Sequence, residues 1–170
     1  KKIKIIIDKG HLVSDDIINN LIKKVISNNL YSNKLIFDGY PRNLNQTKNL
    51  DSLLNHYDQK ISSVLSLNVD YEVVLKRILG RQICSKCGLI FNDFFNPSTR
   101  ENHKCEIKFL KKRSDDNEII IKKRFETYTK ETQPILDYYK SQNLLKNIDG
   151  MKKIDEINKE IRQIIHSLNA

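Results

Sequence analysis

Apolar residues Ile17, Ile18, Leu21, Ile22, Val25 and Ile26 recur at the three- and four-residue spacing of one helix face, and Ser14 stands where such a helix would be capped. Ahead of it, residues 2–9 read as the tail of another helix, stopped by Gly10. Two short apolar runs, 34–38 (KLIFD) and 62–69 (SSVLSLNV), have the length of buried strands, and a helix is predicted between them over 44–57. Asp70 then caps a helix that runs to about Leu79. The rhythm breaks over 80–112, where Cys, Gly, Asn and Pro interrupt short aromatic runs. From Asp115 a long helix resumes, bent at Pro134 because proline has no N–H and crowds the carbonyl four residues back. Residues 144–149 (LLKNID) form a third strand, and 153–168 a last helix with Ile154, Ile157, Ile161, Ile164 and Leu168 turned inward.

Strands alternating with helices predict an α/β fold, a parallel sheet covered by helices on both faces. In such sheets ligands bind beyond the carboxyl ends of the strands, where Asp38-Gly39-Tyr40-Pro41-Arg42 is expected. The irregular stretch then reads as a small lobe inserted into the α/β body.

Composition narrows the classes. With 39% hydrophobic and 30% charged residues, the 170-residue chain can build a packed core, which excludes global disorder. It has no bilayer-length apolar run and no secretion-signal core, so it is expected to be cytoplasmic, without membrane partners. The three cysteines fall between residues 84 and 105, an odd and clustered set that suits a metal site or free thiols better than disulfides. The formal charge of +9 comes largely from 23 lysines spread along the chain. A solvated lysine surface explains that spread better than a nucleic-acid stripe does.

The seven arginines say more, because a planar guanidinium grips phosphate bidentately. By itself DGYPR is modest: the acid can cap a turn, and Gly-Tyr-Pro is ordinary turn chemistry. Its neighbours change the picture. RILGR (77–81), a Cys-x-x-Cys pair, RSDDN (113–117) and KKR ending at Arg124 follow in order, so five of the seven arginines surround or precede one small insert. By spacing alone, Arg77 and Arg81 share a helix face. Asp115 and Asp116 hold the arginines, cap the helix that follows, or divide between the two roles, and the mixture is the expectation.

The order GHLVSD (10–15), FDGYPRNLNQ (37–46), RILGR, CSKCGLIFN (84–92), RSDDN, KKRFETY (122–128), TQPILDYY (132–139) and IDG (148–150) resembles the adenylate kinases of the bacterial long-lid type, from one end of the chain to the other. The resemblance implies a P-loop-kinase-like fold with 1–13 in an AMP-binding lobe, 14–79 and 117–170 as the core and 80–116 as a lid. It implies phosphoryl transfer from ATP·Mg2+ to AMP, chemistry that depends on positioning and charge neutralisation. His11, Leu12, Val13, Gly39, Tyr40 and Pro41 would line the AMP pocket. Arg42 would hold the AMP phosphate and Gln46 read the adenine edge. Asp38 would stand in the magnesium's hydration shell. Arg77 and Arg81 would reach the ATP phosphates, and Arg113 and Arg124 the AMP side and the transferred phosphoryl. Ile90, Phe91, Gly150 and Lys152 would neighbour the ATP adenine. A lid would exclude water as a competing acceptor.

Cys84, Cys87 and Cys105 supply three thiolates for structural Zn2+. The family's second pair would put a ligand at Asn102, a poor one for zinc; His103 substitutes if the loop shifts by one residue. No Gly-x-x-x-x-Gly-Lys occurs in these residues, and the resemblance places Lys1 inside the AMP-binding lobe. The first strand and P-loop are therefore expected to be absent, leaving an incomplete and poorly active portion, monomeric if complete. Two rivals are a kinase for another nucleoside monophosphate and a basic zinc-ribbon module that binds nucleic acid. The second leaves FDGYPR and the ordered arginines unexplained.

Overall fold

The computed structural model describes residues 14–168, so His11, Leu12 and Val13 lie outside the described residues. The chain divides into two compact units, Val69–Phe125 and the unit formed by 14–68 and 126–168.

In the second unit, α1 (Asp15–Ile26) and α2 (Leu44–His56) pack around Ile26, Leu50 and Leu54, with Ile22, Leu35, Phe37, Tyr40, Leu53, Tyr57 and Ile61 against them. The α1 periodicity thus orients Ile22 and Ile26 inward, while Ile17, Leu21 and Val25 remain exposed. Ser14 occupies the cap position of α1, but its side chain makes no capping bond; Asn43 caps α2 through its side-chain oxygen, which accepts from the Gln46 N–H. Residues 34–38 correct the sequence reading. Leu35 and Phe37 point inward and Ile36 is 92% exposed, the alternation of a strand, yet the segment joins no ladder. A strand is defined by its paired neighbour, and none lies beside it among the described residues.

The parallel pair consists of β1 (Val64–Asn68) and β5 (Leu145–Asp149), in register from Val64 opposite Leu145 to Asn68 opposite Asp149. With its helices it gives the α/β class expected. Ile148 and Ser66 are buried, whereas Leu65 and Leu67 are exposed. The last helix, α6 (Ile154–Leu168), turns Ile157, Ile161 and Ile164 partly inward, but Ile154 and Leu168, read as buried, are exposed because each lies at an end of the helix.

The long helix predicted from Asp115 is three pieces: α4 (Glu118–Thr127), a wide π turn over Tyr128–Thr132, and α5 (Gln133–Ser141). Pro134 sits in the first turn of α5, where its missing N–H costs nothing, and the wide turn precedes it. The start shifts to Asn117, whose side-chain oxygen accepts from the Ile120 N–H.

The Val69–Phe125 unit contains α3 (Tyr71–Leu79), a three-stranded antiparallel sheet in the order β3 (Ile90–Asn92), β2 (Arg81–Cys84), β4 (Leu110–Lys111), and the first turns of α4. Among the described residues no helix is long and apolar enough to cross a membrane.

Candidate functional site

Two consecutive carboxylates organise three arginines of the Val69–Phe125 unit, Arg81, Arg113 and Arg124. Asp115 and Asp116 lie in the turn before α4, 5% and 9% exposed. Asn117 makes the cap and both acids bind guanidinium groups, so the expected mixture of roles gives way to arginine binding alone. Asp116 takes Arg81 in a fork, from Nε at 2.9 Å and from Nη2 at 2.5 Å. Asp115 accepts from Arg113 through Nε at 3.0 Å and Nη2 at 2.8 Å, and from Arg124 Nη2 at 2.7 Å. Burial raises the Asp115 carboxyl, but the bonds from Arg113 and Arg124 outweigh it and hold it at about 2. The bond to Asp116 in turn raises Arg81 above the ordinary guanidinium value.

Each guanidinium has five N–H donors, and these ion pairs use one or two of them. The side chains of Arg81, Arg113 and Arg124 are 28%, 45% and 33% exposed. The carboxylates therefore fix direction while further donors stay accessible, a preorganised arrangement for an anion with several oxygens.

Arg77 departs from the spacing argument. Helix α3 ends at Leu79 with Gly80 as its cap, so Arg81 opens β2 and the two arginines do not share a helix face. The Arg77 guanidinium lies over the Phe95 ring at 5.6 Å, and its carbonyl accepts from Asn92 Nδ2 at 2.7 Å.

In the other unit, the 38–42 turn is built from its own backbone. Asp38 is exposed, Gly39 has φ +70°, and the Tyr40–Pro41 bond is cis. A side chain at Gly39 would be strained at that φ and would meet Arg42 Nη2 at 2.8 Å. Arg42 Nε donates to the Gly39 carbonyl at 2.6 Å, and the Arg42 carbonyl accepts from Thr132 Oγ1 at 2.8 Å. The Arg42 N–H donates to Gln46 Oε1 at 2.8 Å, and buried Gln46 donates through Nε2 to Asp15 at 2.7 Å. Tyr40 donates through its hydroxyl to Asn19 at 3.1 Å. Gly150 follows β5, with its N–H on the Asn68 carbonyl, and the Lys152 ammonium pairs with Glu160.

The four candidate ligands come together. Donor atoms of Cys84, Cys87, His103 and Cys105 lie within 4.8 Å of one another. Cys84 ends β2 and Gly88, at φ +76°, closes the tight turn that brings Cys87 back, with the Cys87 N–H 3.5 Å from the Cys84 sulfur. His103 Nδ1 is 2.9 Å from Ser98 Oγ, while its buried Nε2 has no hydrogen-bond partner. A buried orphan nitrogen aimed among three sulfurs is what an absent ligand bond leaves behind, so the donor set fits a tetrahedral, borderline-soft ion. Burial raises the Cys84 thiol, but the Cys87 backbone N–H and the polar groups around the sulfur outweigh it and lower it to about 6; burial and the neighbouring sulfurs push Cys105 up to about 11.

Asn102 instead pins the loop, accepting from the Thr99 N–H and donating to the Pro97 carbonyl. Of the apolar pair on β3, Phe91 is buried against the His103 ring, centroids 4.8 Å apart, and Ile90 is 61% exposed. Ser98 and Asp15 act by hydrogen bonds that no spacing rule marks, whereas Asn117 is marked by the ordinary preference for an amide at a helix start, one position beyond the two acids.

The adenylate kinase family model matches residues 1–144. An adenylate kinase of Pelagibacter ubique is 41% identical over 160 residues, covering 94% of this chain and 75% of the relative. Those of Petrotoga mobilis and Methanocella arvoryzae are 34% and 37% identical, covering 99% and 98% of this chain and 78% of each relative. Motif order, carboxylate-held arginines and these matches agree: the chain belongs to the adenylate kinase family, whose members are phosphotransferases acting on nucleoside monophosphates.

Proposed function

We propose that the chain serves phosphoryl transfer between ATP and AMP, giving two ADP. The observation that carries this is the pair of buried carboxylates holding Arg81, Arg113 and Arg124 with further donors accessible. Arg77 and Arg81 hold the ATP phosphates, while Arg113 and Arg124 neutralise the charge on the transferred phosphoryl. Arg42 binds the AMP phosphate, Gln46 reads the base, and His11 to Val13 and Gly39 to Pro41 line that pocket. Ile90, Phe91, Gly150 and Lys152 neighbour the ATP adenine. Mg2+ bound with ATP would neutralise phosphate charge, and Asp38 would hold its water shell. The 80–116 segment acts as the lid, and Zn2+ on Cys84, Cys87, His103 and Cys105 stiffens it with no part in the chemistry. The work is done on soluble nucleotides in the cytoplasm, by a protein that is monomeric when complete.

A bisubstrate analogue bridging ATP and AMP, titrated calorimetrically, is expected to bind the chain, and Arg124→Ala to weaken it about 10- to 100-fold, the worth of a charged hydrogen bond. Absence of binding, with salt-dependent binding to random oligonucleotides instead, would overturn the reading. Because no Gly-x-x-x-x-Gly-Lys is present, turnover of ATP and AMP by these 170 residues is expected to fall well below the roughly 1–100 s−1 of kinases. A coupled ADP assay measures it; a rate within that range would show the loop dispensable here.

A further inference from the structure

A side-chain amide presents an oxygen acceptor and an N–H donor side by side, and rotating it by a half turn exchanges them. In Gln46 that freedom is removed. The Arg42 backbone N–H is only a donor, so the atom 2.8 Å from it is the amide oxygen. The Asp15 carboxylate is only an acceptor, so the atom 2.7 Å from Oδ1 is the amide nitrogen. Asp15 is itself held by Asn43 Nδ2, which donates to both carboxylate oxygens at 3.2 and 3.3 Å. These residues belong to adjoining ends of α1 and α2, so the orientation is built into the packing of the two helices.

From this we infer that Asp15 is a positioning residue for base selectivity: it locks the Gln46 amide in the orientation that suits adenine and opposes 6-oxopurines. One N–H and one oxygen lone pair of Gln46 remain after the two bonds. Adenine offers an N6–H donor to the oxygen and the N1 acceptor to the N–H. Hypoxanthine and guanine reverse that edge, with O6 accepting and N1–H donating. A freely turning glutamine serves both classes at the cost of a half turn; a pinned one serves adenine alone and leaves a 6-oxopurine with donor facing donor. The inference rests on the reading of Gln46 as the residue that meets the base.

The test is calorimetric binding of AMP and IMP to the 170-residue chain and its variants. The unsubstituted chain is expected to favour AMP, and Asp15→Ala to narrow the AMP-to-IMP ratio about tenfold or more. Asp15→Asn keeps an oxygen acceptor in place and is expected to stay within about threefold of the unsubstituted ratio. If Asp15→Ala does not fold, Asp15→Ser, which suits a helix start, reports the same ratio. A general loosening of the fold weakens both nucleotides alike and leaves the ratio unmoved. An unchanged ratio in a variant that still binds AMP therefore overturns the inference. Failure of the unsubstituted chain to bind AMP would instead overturn the reading of the pocket.

Discussion

Replacing Cys84 with serine is expected to abolish metal binding and to unfold the three-stranded sheet of the Val69–Phe125 unit, leaving the α1–α2 core in place. Cys84 is 1% exposed at the end of the central strand of that sheet, and its neighbours there are the other three donors. Apart from Phe91 and Cys84 itself, β2, β3 and β4 have no buried apolar side chain among the described residues, so the sheet has little apolar interior to stand on. Structural zinc supplies apparent binding energies of about 10–16 kcal/mol in small metal-dependent folds, as much as a whole domain's net stability. Elemental analysis is expected to give one zinc per chain, and a strong chelator to reproduce the effect of Cys84→Ser. Amide exchange over 81–111 is the local readout, rising sharply in the variant while 44–56 stays protected. A metal-free protein with undiminished protection over 81–111 would refute this.

Asp115→Ala is expected to destabilise the arginine cluster by about 3 kcal/mol, because it leaves Arg113 and Arg124 facing one another without the carboxylate between them. The figure is at the lower end for broken buried pairs, since both guanidiniums can recruit water. It corresponds to a fall in Tm of roughly 6–12 °C for a chain of this size. Asp115→Asn, which keeps the shape and loses the charge, is expected to fall between. The pH dependence follows from the sign of the shift. The folded-state carboxyl at about 2 lies below its ordinary value of 3.8, so its contribution is complete above about pH 4 and disappears as pH falls through about 2. Denaturant midpoints across that range should fall more steeply for the unsubstituted chain than for Asp115→Asn. Parallel profiles would show that the pairs contribute no net stability.

The clusters of candidate residues are more legible in the sequence than the elements that carry them. Cys84, Cys87 and Cys105 declare themselves by spacing, and His103 by standing one residue from the place where a ligand was due. The arginines were found by their order, but the claim that Arg77 and Arg81 share a helix face failed because Gly80 ends α3 between them. The apolar run 34–38 has the length of a buried strand, but Ile36 is exposed and the segment joins no ladder, because pairing is a property of two segments and cannot be seen in one. The ends of α6 misled in a similar way: periodicity marks a face, while burial depends on what lies over each turn. The hydrogen bonds that aim Gln46 and His103 join residues 31 and five positions apart, through side chains that are common on any surface.

The parallel pairing of Val64 with Leu145 joins positions 81 residues apart. At ribosomal speeds of about 5–20 residues per second, β1 waits roughly 4–16 s for its neighbour to be made. Throughout that interval it lacks the one ladder partner it has among the described residues, and Leu65 and Leu67 stand exposed on it. Nascent chains of this protein should therefore lean on chaperones until translation has passed Asp149, and the aggregation seen when they are withheld should map to 64–68.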